Sequence, residues 1–190
     1  MKKLMAALFA LMMAVSCLSC AAAEEAAKPA SHILVVYFSA TGTTKGVAEK
    51  LAEGLKADLY EIVPEEPYTP ADLNYNDRKS RTSVEMDDPA CRPAIAGDLP
   101  DLTAYDTIFI GYPIWWGDAP RILSNFVEKV DLTGKTLAVF FTSGSSGLGN
   151  SMRHLEQQSG AGDWLEGRRF TSRTTTEDLT TWAKSLGIEP

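Results

Sequence analysis

Ser39-Ala40-Thr41-Gly42-Thr43-Thr44-Lys45 lies between two different hydrophobic rhythms. Before it runs Ile33-Leu34-Val35-Val36-Tyr37-Phe38, a continuous apolar stretch of the kind that forms a strand buried on both faces. After it Val47, Leu51 and Leu55 recur at helical spacing, predicting a helix over Lys45–Leu55. A hydroxyl-rich turn with one glycine therefore opens a helix. Backbone N–H groups at a helix start lack intrahelical acceptors, and the positive end of the dipole faces outward there. Hydroxyls from Ser39, Thr41, Thr43 and Thr44 would complete an anion cradle that needs no formal positive charge. An ordinary strand-to-helix turn with an N-cap is the alternative reading. The stretch is not a Walker A sequence, and it has no Gly-x-Gly-x-x-Gly.

The pattern continues to alternate. Further strands are expected at Asp58–Val63, with acids outward and apolar residues inward, at Thr107–Tyr112 and at Thr136–Phe141, with a short fifth near Gly167–Phe170. Helices are expected at Pro120–Val130, Ser151–Gln158 and Glu177–Leu186. Such alternation predicts parallel βαβ units in a doubly wound sheet. Residues 64–104 break the rhythm with Pro64, Pro67, Pro70, Pro89, Pro93 and Pro100; a helix is expected within them at Asp72–Met86. No internal repeat or second-domain boundary is visible.

In a doubly wound sheet, ligands sit beyond the carboxyl ends of the strands at the topological switch point. The loop after the third strand reads Tyr112-Pro113-Ile114-Trp115-Trp116-Gly117-Asp118-Ala119-Pro120. Two tryptophans held between prolines suit contact with a flat aromatic ligand; packing of one of them beneath the loop is the alternative reading. The loop after the fourth strand, Thr142-Ser143-Gly144-Ser145-Ser146-Gly147-Leu148-Gly149-Asn150-Ser151, has almost no bulky side chains, so its backbone can approach a ligand closely. A flexible surface loop is the plainer reading. It fails as a dinucleotide fingerprint at Met152 and as a nucleophile elbow at Leu148.

Ser/Thr-x-Thr-Gly-x-Thr after a first strand resembles the phosphate loop of flavodoxins, and the three loops together resemble that family from about His32 onward. The resemblance implies a flavodoxin-like three-layer α/β/α sandwich with a five-stranded parallel sheet of order 2-1-3-4-5, and FMN as cofactor. It implies that Ser39, Thr41, Gly42, Thr43 and Thr44 hold the phosphate. Pro113, Ile114, Trp115, Trp116 and Gly117 would line one side of the isoalloxazine, with Ser143, Gly144, Ser145, Gly147 and Gly149 along the other. Many flavodoxins carry an aromatic ring after the fourth strand; this chain has none there, leaving that ring face more open.

The N-terminus has the pattern of an export leader: Lys2 and Lys3, an apolar run Leu4–Val15 too short to span a bilayer, then small residues up to Ala21-Ala22-Ala23. Residues 1–23 are expected to be a signal peptide, 24–31 a tether and 32–190 the flavodoxin-like domain. Cys17 and Cys20 each end an imperfect lipobox, so the expected location is periplasmic or lipid-anchored, with membrane contact only through that N-terminal lipid. Cys91 is then alone in the domain and is read as having no chemical role. The formal charge of −7, about −9 without the two leader lysines, argues against nucleic acid and suits a basic redox partner.

The expected activity is that of an FMN-dependent redox protein passing electrons to a partner protein or reducing a small quinone-like acceptor. The alternatives are a non-enzymatic FMN-binding or partner-binding module and, least favoured, a serine hydrolase using Ser145 or Ser146 with His154. His154 is read as a helix-surface residue, with a general acid beside the flavin as the other possibility. No Cys/His cluster has metal-binding spacing, so no metal is expected.

Overall fold

The computed structural model describes residues 32–189; the expected signal peptide and tether lie outside the described residues. The chain runs β1 (Ile33–Tyr37), α1 (Thr43–Leu55), β2 (Asp58–Glu61), α2 (Arg81–Asp87), β3 (Thr107–Pro113), α3 (Arg121–Lys129), β4 (Thr136–Thr142), α4 (Ser151–Ser159), β5 (Asp163–Phe170) and α5 (Thr176–Ser185). The five strands form one parallel sheet in the order β2-β1-β3-β4-β5, as expected. The order reverses between β1 and β3, which places the switch point there.

Successive side chains of a strand point to opposite faces, so apolar strands build two cores. Leu34, Val36, Ile108, Ile110, Leu137 and Val139 pack with Ile122, Leu123 and Phe126 of α3 and Leu155 of α4. Ile33, Val35, Tyr37, Phe109, Ala138 and Phe140 pack on the other face with Val47, Leu51 and Leu55 of α1 and with Leu179 and Trp182 of α5. The result is three layers. Gly111 in β3 is required by this packing, because a Cβ there would overlap the Phe140 ring.

Three expectations change. The helix expected at Asp72–Met86 begins only at Arg81. Asp72 Oδ2 instead accepts from the Thr69 amide and hydroxyl at 2.8 and 2.7 Å, while Asn74 and Asp77 side chains accept from the amides two residues on. These local bonds compete with helix until Ser80 caps α2. In β2 the inward positions are Tyr60, stacked near Phe126, and beyond the strand Ile62, whereas Leu59 is 42% exposed on this edge strand. β5 is longer than expected, starting at Asp163, with a register shift opposite Ala138/Phe140 that obscures its period.

Candidate functional site

All three loops singled out by the sequence emerge at the carboxyl end of the sheet. Ile114, just after β3, donates its amide to Thr142 O at the end of β4 at 2.9 Å. Thr44 Oγ1, in the first turn of α1, meets Thr142 Oγ1 at 2.8 Å. Gly149 packs so closely on the Gly117 carbonyl that a Cβ at 149 would lie 2.6 Å from that oxygen.

The first loop enters α1 through Gly42, whose φ of 84° is left-handed and whose N-cap position has no side chain to bond the helix amides. The helix start is therefore uncapped by its own residue. Ser39 Oγ accepts from the Gly42 amide at 3.1 Å, which leaves its proton free to donate elsewhere. Thr41, Gly42 and Thr43 are exposed. Thr44 is not: it is 1% exposed, and its hydroxyl lies 2.8 Å from that of Thr142. Lys45 turns aside to Glu61, 3.1 Å away, and the same carboxylate accepts from the Tyr37 hydroxyl at 2.7 Å. Burial first, and then this carboxylate, push the Tyr37 phenol well above its ordinary range.

The second loop is a tight hairpin. Trp115 and Asp118 exchange both backbone hydrogen bonds, at 3.0 and 2.9 Å, around Trp116 at φ 48° and Gly117 at φ 78°. Two consecutive positive φ values define a type I′ turn, which suits glycine but strains tryptophan by about 1–2 kcal/mol. Such strain is characteristic of functional loops. The two indoles differ in environment. Trp115 packs edge-on against Phe38 and Tyr68, with centroids 5.5 and 5.2 Å away, while Trp116 is 47% exposed.

Thr41, Ile114, Trp115 and Trp116 line a cavity of about 400 Å³, a size typical of small-molecule sites. Its remaining wall is Leu73, Tyr75 and Thr82, all from the segment between β2 and β3. Sequence reasoning missed these three, because that segment has no hydrophobic period. Its anchor is a stack: the Arg81 guanidinium lies 4.1 Å from the Tyr68 centroid, and Tyr68 donates to Glu85 Oε2 at 2.6 Å. Burial first, and then Glu85, hold the Tyr68 phenol far above its usual range, so it stays a neutral donor.

The third loop borders the site without forming part of that wall. Ser143 donates to Ser146 O, and Gly144, Ser145, Gly147 and Gly149 are exposed. Leu148 packs into the core beneath, where Ser151 Oγ donates to its carbonyl at 2.7 Å and meets the Tyr112 hydroxyl at 3.1 Å. Tyr112 is fully buried, and burial raises its phenol well above its ordinary range. Ser145 and Ser146 are 8 or 9 residues from His154 along the chain, which bonds Asp118 instead. Among the described residues no group of three metal-ligating side chains comes together.

A flavodoxin family model matches residues 32–186. A Bacteroides eggerthii protein taken to be a flavoprotein is 48% identical, superposes with a TM-score of 0.79, and is covered over 99% of its length by 84% of this chain. A flavoprotein from Lactobacillus acidophilus, solved in complex with FMN, is 23% identical with a TM-score of 0.64 over 81% of this chain and 99% of its own. An NAD(P)H dehydrogenase (quinone) from Chromohalobacter salexigens is 31% identical over 108 residues, which is 52% of this chain and 47% of that protein. The chain thus spans about half the length of this curated relative.

Proposed function

The chain belongs to the flavodoxin family, and from that premise we propose that it binds FMN in the cleft described above and uses it to reduce a small quinone-like acceptor. The observation that carries the reading is the meeting of two features in one cleft. An uncapped helix start at Gly42 borders, through Thr41, a 400 Å³ cavity walled by Trp115 and Trp116.

The residues present fit the cofactor. The amides opening α1 have no N-cap side chain, and the hydroxyls of Ser39, Thr41 and Thr43 stand beside them, a donor set suited to a phosphate dianion. Thr44 supports this loop from beneath through Thr142. Ile114, Trp115 and Trp116 offer apolar and aromatic surface to a tricyclic ring, with Leu73, Tyr75 and Thr82 opposite. Gly144 and Gly147 fit too. Neither has positive φ, and a Cβ at either would meet nothing within 4 Å, so the fold itself does not require glycine there. Close approach of a ligand does.

When bound, FMN supplies hydride and electron chemistry that no side chain offers. The chain's own contribution is placement. Trp115, packed on Phe38 and Tyr68, is a fixed wall, whereas Trp116 and the 74% exposed Tyr75 flank the mouth, where a planar apolar acceptor can approach. The relative from C. salexigens supports both a nicotinamide donor and a quinone acceptor. A second reading, a carrier docking to a basic redox partner, is favoured by the formal charge of −7. We also propose export, on the leader pattern of residues 1–23.

Steady-state turnover of FMN-loaded protein with NADH or NADPH and a soluble quinone separates the readings. Rapid turnover supports the reductase. Reduction only through an added reductase supports the carrier.

A further inference from the structure

Asp118 ends the strained turn, and its carboxylate reaches well beyond it. Oδ1 accepts from the Ala119 amide at 2.8 Å. Oδ2 accepts from Arg121 Nη1 at 3.2 Å and from His154 Nδ1 at 2.9 Å. An ionised carboxylate can only accept, so the imidazole is the donor there. The other amino group of Arg121 donates to the Met86 carbonyl, at 2.9 Å, in the last turn of α2. A single carboxylate therefore ties the Trp115–Asp118 turn to α3 and α4, and through Arg121 to α2.

The turn needs an external hold. Trp116 at φ 48° sits where an L side chain rests poorly, and two Trp115–Asp118 backbone bonds close the hairpin. Arg121 and Asp118 are largely buried, with side chains 11% and 16% exposed, while His154 is 40% exposed. Removing the histidine therefore loosens one tether without opening the core. Gly149, which packs on the Gly117 carbonyl, lies in the loop that leads into α4, so the His154 tether also fixes how the second and third loops meet.

We propose that His154 is a positioning residue: through Asp118 it holds the Trp116–Gly117 turn in the conformation that receives the flavin. The proposal rests on the FMN reading of the same cleft. It gives His154 a role through Asp118 and not as an acid acting on substrate.

The test uses the full chain and the variants His154→Ala and His154→Asn; asparagine carries an amide nitrogen near the place of Nδ1. Two readouts are taken: the FMN dissociation constant by flavin fluorescence, and the indole N–H signal of Trp116 in the apoprotein by NMR, assigned with Trp116→Phe. The Trp182 signal, from the buried core, reports folding of each variant. His154→Ala is expected to weaken FMN binding about five-fold, equivalent to ~1 kcal/mol at 1.4 kcal/mol per decade, and to move the Trp116 signal while Trp182 stays. His154→Asn is expected to restore both. A wild-type Trp116 signal in His154→Ala overturns the proposal, and so does failure of asparagine to restore it. If no form binds FMN yet the Trp116 signal moves and is rescued, the tether stands and the flavin reading fails.

Discussion

Thr44→Val tests the geometry of the first loop directly. Valine has the shape of threonine and a similar helix propensity, so the substitution reports the hydroxyl alone. Thr44 is 1% exposed, and its hydroxyl is paired at 2.8 Å with that of Thr142, a residue itself 4% exposed. Removing one partner strands the other in a dry site, at a cost of about 1–3 kcal/mol. Taking ~1.5 kcal/mol, the thermal midpoint falls by roughly 3–6 °C for a domain of this size. Thr142→Val costs a similar amount, yet the double variant costs less than the sum, since an apolar pair leaves nothing unsatisfied. Urea or thermal denaturation of the apoprotein measures all four corners of the cycle. FMN affinity in Thr44→Val stays within about twofold, less than 0.5 kcal/mol. Additive losses across the cycle would refute the coupling. A loss of about tenfold or more in FMN affinity with unchanged stability would place the hydroxyl on the phosphate and refute the inward orientation.

Other substitutions separate fold from function. Gly144→Ala and Gly147→Ala put a methyl group into open space, so the apoprotein should gain about 0.4–1 kcal/mol in denaturant unfolding while FMN binding weakens. Unchanged affinity would remove the third loop from the site. Trp116→Gly relieves the positive φ, and apoprotein stability should hold or rise by up to ~1 kcal/mol, while FMN affinity falls about tenfold; calorimetry and a flavin titration measure the two effects. Asp178 accepts from the backbone amide and then the hydroxyl of Thr175 in the capping box of α5, which holds its carboxyl below the ordinary range. A lowered carboxylate contributes stability that is present at neutral pH and lost as pH falls through its folded value. The acid-side fall in thermal midpoint should therefore be shallower in Asp178→Asn, and an identical pH profile would contradict that assignment.

The sheet was legible because Val35, Phe109 and Val139 lie in strands buried on both faces, whose apolar runs stand out without any alternation. The three loops were legible from their positions after those strands. Thr44, which the resemblance sets on the phosphate, is buried, and its phase was available. It stands three residues before Val47 and seven before Leu51, on the buried stripe of α1 and not on the open side of the loop. The cavity wall of Leu73, Tyr75 and Thr82 had no such signal, since Asx turns and tertiary packing shape that segment. Nor could the sequence reveal the bond between Asp118 and His154, because 36 residues separate them and only the docking of α4 brings them together. Trp116-Gly117 gave no hint of a type I′ turn, because tryptophan is a poor residue for its first central position.

The central claim is that α1 opens onto a phosphate and the tryptophan loop onto the ring of the same ligand. Parallel titrations of the full chain with FMN and with riboflavin, followed by quenching of flavin fluorescence, test it most directly. The two ligands share the ring and differ in the phosphate, whose charge-assisted hydrogen bonds to amides and hydroxyls each contribute about 1.5–3 kcal/mol. The account predicts one FMN per chain, with riboflavin bound roughly a hundredfold more weakly. Equal affinity for both, or binding of neither, would contradict it.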